Sequence, residues 1–272
     1  MTTKLSKRYE GFLYTSFLWK SDSVFGLKQF EIESSSSKIH ITTDPTLRLG
    51  KYIERFVSFE LKQQTKVKII AENIQILKDK ITLGELDFLL LKKHTPIHLE
   101  VIYKFYLYDD TVGASEIEHF IGPNRKDSLI EKLNKLKEKQ LPLLYSKECQ
   151  PYLENLGLQA TSMLQQVYFN AQLFMPYSNQ NMALKTLNNA CVEGFYINHK
   201  QLLAFKACKF YLPDKKDWLL IPHTNVTWLN FDSFRSITKD YLKNTYSPLC
   251  WLKFKNGDIK KMFLVWWQTK NI

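Results

Sequence analysis

Acidic residues and one lysine occupy regular positions in two apolar segments that resemble strands. Residue alternation places Glu85 and Asp87 on one face of the first segment, and Glu100 and Lys104 on one face of the second. Charges within apolar strands are costly unless they are paired or bind a metal ion. Mg²⁺ prefers carboxylate oxygens, and a lysine can orient an attacking water or stabilise charge on phosphorus. The pattern indicates an Mg²⁺ site, with Mn²⁺ as an alternative, suited to phosphodiester hydrolysis.

A further carboxylate comes from a helix that precedes these segments. Glu54 lies at the edge of the apolar face of that helix, from which its side chain can point inward. His98 shares the face of Glu100, and we expect it to be a hydrogen-bonded partner of that carboxylate rather than a proton-transfer group. The alternative for the whole set is a solvated sheet face on which Lys104 pairs with Glu100 or Asp87.

The elements that carry these residues follow from local patterns. Asp44-Pro45 predicts a helix start, with Asp44 as N-cap, and helical spacing continues to about Gln63. Runs of β-branched and aromatic residues predict three strands. These strands are Val67–Leu77, Lys80–Leu91 and Ile97–Tyr108. Another helix is predicted over Asp127–Leu141, so the order is that of a mixed α/β layer domain.

The later part of the chain has different signals. Helical spacing predicts a helix over Leu153–Phe174, and Asn256-Gly257 predicts the turn of a β-hairpin. We therefore divide the chain into an N-terminal extension packing on the core (1–44), a core (45–148) and a smaller, aromatic-rich, basic α+β part (149–272). That last part is either separate or integral to the same domain.

The charge of the chain suggests an anionic partner. The 272 residues are 44% hydrophobic, which excludes a disordered protein, and the formal net charge is +11. Residues 1–150 carry +4 and residues 151–272 carry +7, so the basic excess is largest after the predicted core. Nucleic acid is the expected partner. The candidate phosphate contacts are Arg125, Lys126, Lys253 and Lys255.

Other features limit the functional classes. The four cysteines are scattered, which is typical of a reducing cytoplasm rather than of a zinc site or a disulfide framework. No apolar run approaches the ~20 residues of a membrane helix, so we expect a cytoplasmic protein without a membrane partner. The sequence contains no P-loop, GxGxxG or GxSxG motif.

The arrangement Glu54 … Gly84-Glu85-x-Asp87 … Glu100-x-x-x-Lys104 resembles the PD-(D/E)XK nuclease superfamily, which has a restriction-endonuclease-like fold. Most of the chain is also similar to an uncharacterised bacterial family of unknown function that is assigned to that superfamily. The matching stretches are Arg48–Glu54, Gly84–Leu90, Lys104–Leu107 and Gly122–Asp127, with softer matches at Trp218-Leu219 and Met262–Val265.

The resemblance implies an α-β-β-β-α-β core, a mixed sheet flanked by helices. It also implies Asp87 and Glu100 as metal ligands, Glu54 as an accessory carboxylate and Lys104 as the catalytic lysine. The superfamily usually has Glu-x-Lys, whereas this chain has Ile102 at the lysine position. Two residues along a strand span about 6.6 Å, so Lys104 starts one step further away.

The leading functional hypothesis is a metal-dependent nuclease that hydrolyses phosphodiester bonds in DNA or RNA. Two alternatives stay open. One is a catalytically inactive nucleic-acid-binding module with a nuclease fold, which the displaced lysine favours. The other is a protein-interaction or scaffold protein, in which the basic surface serves solubility alone.

Overall fold

The computed structural model describes residues 3–33, 38–42 and 44–268. Its helices are α1 (Lys4–Tyr14), α2 (Leu49–Lys62), α3 (Leu129–Lys135), α4 (Gln150–Asn155) and α5 (Phe231–Lys243). Its strands are β1 (Val67–Lys78), β2 (Ile81–Lys92), β3 (Thr95–Tyr108), β4 (Phe120–Ile121), β5 (Leu164–Pro176), β6 (Val192–Asn198), β7 (Lys209–Tyr211), β8 (Leu249–Lys253) and β9 (Ile259–Val265). The protein therefore has the mixed α/β class predicted from its sequence.

The chain forms two compact units. The first unit comprises residues 17–103 and 131–170, and the second comprises residues up to 16, 104–130 and those from 171 onward. Both units contain residues from before and after position 148. No helix in the described ranges is long and apolar enough to cross a membrane.

The first unit is organised around an antiparallel sheet. β1 pairs with β2 from Val67↔Lys92 to Lys78↔Ile81, and β2 pairs with β3 from Lys92↔Thr95 onward. β5 is the neighbour of β3. The three predicted strands are confirmed to within two residues at each end, because short polar turns punctuate strongly apolar runs.

The predicted N-cap of the second helix is wrong. α2 begins at Leu49 rather than next to Asp44, and Arg48 occupies the N-cap position without a side-chain cap. The Asp44 carboxylate instead accepts hydrogen bonds from the backbone N–H and hydroxyl of Thr46, at 2.7 and 2.6 Å. Local Asx turns of this kind compete with helix capping, so the same residue type serves both structures.

The predicted helix over Leu153–Phe174 is also wrong. α4 ends at Asn155 in a Schellman motif, in which Gly157 has φ +66° and the Leu158 N–H donates to the Leu153 carbonyl at 2.9 Å. Most of the following segment is strand β5, nearly all of it buried after Gln166. A strand covered on both faces lacks alternation, and its apolar residues then also fit a helical spacing.

The second unit contains a mixed sheet. β5, β6 and β9 are parallel neighbours, whereas β9–β8 and β8–β7 are antiparallel pairs. The predicted hairpin is confirmed, since β8 and β9 pair and Phe254 and Asp258 close the loop at 2.9 Å. α5 packs on this sheet, where the Phe234 and Phe210 rings stack with centroids 4.1 Å apart.

Candidate carboxylate–lysine site

Three carboxylates converge in the first unit. α2 supplies Glu54, and β2 supplies Glu85 and Asp87 from the face that residue alternation predicts. One oxygen of each group lies within 4.8 Å of the others. Glu54 and Asp87 are each only 8% exposed. Such a set of oxygen ligands suits a hard divalent cation.

The side chain at the centre of this cluster is Lys51, one turn before Glu54 on α2. Its Nζ donates to Glu54 Oε2 at 2.7 Å and to a carboxylate oxygen of Glu85, and it lies 3.9 Å from Asp87 Oδ1. It also donates at 3.1 Å to Oδ1 of Asn73. We call these four charged residues, Lys51, Glu54, Glu85 and Asp87, the carboxylate–lysine cluster.

Asp87 lies where two strands separate. The β2–β3 pairing ends at Phe88↔Leu99, and one residue further the Asp87 carboxylate accepts the backbone N–H of Val101 at 2.9 Å. On the other side of β2, Asn73 has φ +57°, which is a left-handed conformation within a strand. Both departures from regular pairing occur at residues in or next to the cluster, Asp87 itself and Asn73, which accepts a hydrogen bond from Lys51.

Packing behind β2 depends on a small residue. A Cβ atom at Gly84 would lie 2.7 Å from the Leu143 side chain, which belongs to the 3₁₀ turn Leu141–Tyr145. A glycine beside Glu85 thus allows this turn to cover the strand that carries two of the carboxylates.

Burial and mutual repulsion raise the pKa values of the acidic groups. Desolvation, followed by the charges of Glu100 and Glu54, raises the pKa of Asp87 to about 8, although the Val101 N–H and Lys51 oppose this shift. Burial also raises the pKa of Glu54, against the effect of Lys51. For Lys51, burial lowers the pKa, but hydrogen bonds to Glu54 and Glu85 outweigh it and the net pKa is raised. Lys51 is therefore a charged donor near neutral pH, not a base.

Glu100 is held by a separate hydrogen-bond network. It is 1% exposed; its Oε1 lies 3.1 Å from His98 Nε2, and its Oε2 accepts from Gln140 Nε2 at 2.7 Å. Gln165 Nε2 donates to the Leu141 carbonyl at 2.7 Å and lies 3.0 Å from His98 Nδ1. His98 Nδ1 is then an acceptor, so His98 Nε2–H donates to Glu100, as its predicted partner role requires.

Gln140 reaches Glu100 because the helix after Lys135 widens. Residues Leu136–Gln140 form a π-helical turn, and Gln140 Oε1 accepts from Lys132 Nζ at 2.6 Å. Single π-turns are frequent at functional sites because they redirect side chains. Sequence reasoning missed Lys51, Asn73 and Gln140 as members of the site. The only signal was that Lys51 lies within the stretch Arg48–Glu54 that carried the family resemblance.

Lys104, the lysine predicted from the resemblance, belongs to the second unit. Its Nζ donates to Asp127 Oδ2 at 2.6 Å. The Gly122–Asp127 stretch forms the turn that carries this acceptor. The turn is so tight that a Cβ atom at Gly122 would lie 2.0 Å from Asp127 Oδ1, so a glycine is needed there. Lys215 lies nearby with its Nζ 3.2 Å from the Trp218 ring centroid. Burial, then the charge of Lys104, lowers the pKa of Lys215 to about 7.

The predicted phosphate contacts lie in the second unit in different settings. Arg125 pairs with Asp109 at 2.6 Å and lies 4.8 Å from the ring centroid of Trp267. Lys126 and Lys255 are exposed, and Lys253 is partly buried with its Nζ 5.7 Å from the ring centroid of Trp228. Three of the four predicted residues are therefore exposed basic side chains, one of them already in an ion pair. Their role as nucleic-acid contacts remains a prediction.

The fold and site together define a mixed α/β protein with a partly buried cluster of three carboxylates around one lysine. The chain belongs to the family described as Domain of unknown function (DUF1853), whose model matches residues 15–265. Neither the curated proteins nor the solved structures contain a match to the chain.

Proposed function

We propose that this protein is a metal-dependent nuclease that hydrolyses phosphodiester bonds in DNA or RNA, with a PD-(D/E)XK-like core. The observation that carries this proposal is the convergence of Glu54, Glu85 and Asp87 on one partly buried point with Lys51 among them. A net charge of +11 supports a polyanionic substrate.

The order of elements supports the proposed core. Along the chain, α2, β1, β2, β3, α3 and β5 follow the α-β-β-β-α-β order that the resemblance implies, with two short insertions: the two-residue strand β4 before α3 and the six-residue helix α4 after it. The strand neighbours β1-β2-β3-β5 then place the carboxylates of β2 next to β3. In this arrangement Asp87 lies at the point where the β2–β3 pairing ends.

The donor set fits a divalent cation. Two oxygens bound to one Mg²⁺ at about 2.1 Å lie at most roughly 4.2 Å apart, close to the 4.8 Å limit within which the three carboxylate oxygens lie. Asp87, Glu54 and Glu85 would hold the ion. When bound, Mg²⁺ or Mn²⁺ would polarise a phosphoryl oxygen and lower the pKa of a water. A cation would also favour the ionised form of Asp87 over the protonated form that burial favours.

Lys51 is the lysine that we assign to the reaction. The usual lysine position is occupied by Ile102, which is only 3% exposed, and Lys104 donates to Asp127 in the second unit. Lys51 comes from α2 instead, and in the metal-free protein its ammonium occupies the centre of the carboxylates. A bound cation would take that position, and the long Lys51 side chain would then turn toward the substrate. Its role would be to bind and stabilise the developing negative charge on a substrate phosphate.

A cleavage assay with matched lysine variants tests this assignment. DNA and RNA substrates are incubated with Mg²⁺ or Mn²⁺ and the wild type, Lys51→Gln, Lys62→Gln, Lys104→Gln or Asp87→Ala protein. Lys62 is a matched control because it also lies on α2 and also pairs with a carboxylate, that of Glu72.

We expect Lys51→Gln and Asp87→Ala to lower the cleavage rate at least about 100-fold, the usual effect of removing one charge-stabilising donor. Lys62→Gln should cleave like the wild type. Loss of cleavage in Lys104→Gln but not in Lys51→Gln would return the catalytic role to the lysine predicted from the resemblance. Absence of cleavage of every substrate by the wild type would refute the nuclease proposal.

One observation favours a second function. In the absence of metal, the Lys51 ammonium already compensates the buried carboxylates, as in a purely structural ion-pair network. The protein would then be an inactive nucleic-acid-binding module. In that case calorimetry would detect no Mn²⁺ binding, and salt-sensitive binding of DNA or RNA would be unchanged in Asp87→Ala.

A further inference from the structure

A cleft in the second unit lies apart from the proposed metal site in chemistry and in residues. It has a volume of about 540 Å³ and runs between α5, the 3₁₀ turn Gln201–Phe205 and the residue that follows β9. Its apolar walls include Leu202, Phe231, Leu242 and the Trp266 ring. This volume lies within the range of small-molecule sites, which are concave and mostly apolar.

Two cations line the same cleft from α5. Arg235 and Lys239 are one helical turn apart, and both are exposed. Within residues 3–33, 38–42 and 44–268, neither has an acidic group within 4.0 Å, although Asp232 and Asp240 lie on the same helix. Like charges at this spacing repel each other, so a bound anion would relieve an uncompensated interaction.

Two further polar side chains that line the cleft, those of Trp266 and Thr238, offer no free donor to a ligand. Trp266 lines the cleft with its ring, whereas its indole N–H is buried and out of reach of a ligand in the cleft. The Thr238 hydroxyl is already engaged, because it donates to the Phe234 carbonyl at 2.8 Å.

We propose that this cleft binds a small amphiphilic anion: an apolar or aromatic body against Leu202, Phe231 and Trp266, with a carboxylate or phosphate paired to Arg235 and Lys239. An apolar body alone would leave both cations unpaired, whereas a free inorganic ion would leave the apolar walls unused. The site does not depend on the proposed nuclease activity and involves none of its residues.

The test uses the full-length protein and the fluorescent probe anilinonaphthalene sulfonate, an aromatic anion. Displacement is measured with dodecanoate and with adenosine monophosphate, each compared with its neutral analogue, dodecanol or adenosine. The variants are Arg235→Gln with Lys239→Gln, Trp266→Phe, and Lys243→Gln. Lys243 is the matched control, because it lies on α5 but does not line the cleft.

We expect saturable probe binding that at least one of the two anions displaces and that its neutral analogue does not. The double variant should bind the probe at least roughly tenfold more weakly, while Lys243→Gln binds like the wild type. Trp266→Phe should bind it about threefold more weakly, because the smaller ring covers less of the apolar body. Displacement by dodecanoate or by adenosine monophosphate would identify the body of the ligand. Probe binding weaker than about 1 mM, equal affinity in the double variant, or equal displacement by the neutral analogues would overturn the proposal.

Discussion

Replacing Asp87 by Asn should make the metal-free protein more stable near pH 8. The pKa of Asp87 is raised from an ordinary 3.8 to about 8, first by burial and then by the charges of Glu100 and Glu54. Asn keeps the size of the side chain and one oxygen acceptor for the Val101 N–H, while it removes the charge that burial opposes. The substitution therefore removes a cost that wild-type protein bears when Asp87 ionises.

The direction and size follow from proton linkage. Because the folded-state pKa is raised, the native state holds a proton that the unfolded state releases between about pH 4 and about pH 8. Stability due to this group is full below the unfolded pKa and is lost as pH rises toward the folded pKa. The loss is at most about 1.4 kcal/mol per pH unit, or about 4 kcal/mol between about pH 5 and about pH 8. Part of this amount reflects repulsion shared with Glu100 and Glu54, whose own ionisation responds to that of Asp87, so we expect about half of the ceiling, roughly 2 kcal/mol.

Urea unfolding in EDTA measures the effect. The free energy of unfolding of Asp87→Asn should exceed that of the wild type by roughly 2 kcal/mol at about pH 8, and the difference should shrink toward about pH 5. Added Mn²⁺ should stabilise the wild type and not the variant. A variant that is less stable than the wild type at about pH 8 without metal would refute the reasoning that burial opposes the ionised carboxylate.

Two predictions test a hydrogen bond beside the site and the backbone conformation of the first unit. Gln140→Ala leaves Glu100 Oε2 without its 2.7 Å donor and should lower the free energy of unfolding by about 1–3 kcal/mol in urea titrations; an unchanged value would contradict the hydrogen bond. Gly157→Ala, at φ +66°, should cost about 1 kcal/mol, whereas Gly50→Ala in α2, with open space around it, should be neutral or stabilising in the same measurement. Equal effects at the two glycines would show that backbone conformation is not the cause.

Patterns that depend on nearest neighbours were predicted well from the sequence. The strands β1, β2 and β3 were placed to within two residues, and Glu85 and Asp87 do share a face. Both results depend on the two-residue period of a strand and on polar turns, which are local properties.

Two elements were mispredicted because one local pattern served two structures. The Asp44 carboxylate accepts a hydrogen bond from Thr46 in an Asx turn. The sequence pattern of such a turn is the same as that of a helix N-cap. The β5 segment lost its alternation because both of its faces are buried, and burial is a property of the assembled fold. In the sequence, Gly157 was the signal for the end of the helix, because glycine favours the left-handed conformation that a Schellman turn requires.

The sequence by itself determined that acidic side chains of β2 lie together and that a helix before it carries Glu54. Tertiary structure alone decided which cation accompanies them. Lys51 and Glu85 are 34 positions apart, and Gln140 and Glu100 are 40 positions apart, so no periodicity links either pair. Their contacts depend on how α2 packs against the sheet and on the π-turn after α3. Short-range periodicity sets which face a side chain occupies, whereas the partner on that face is set by packing between distant segments.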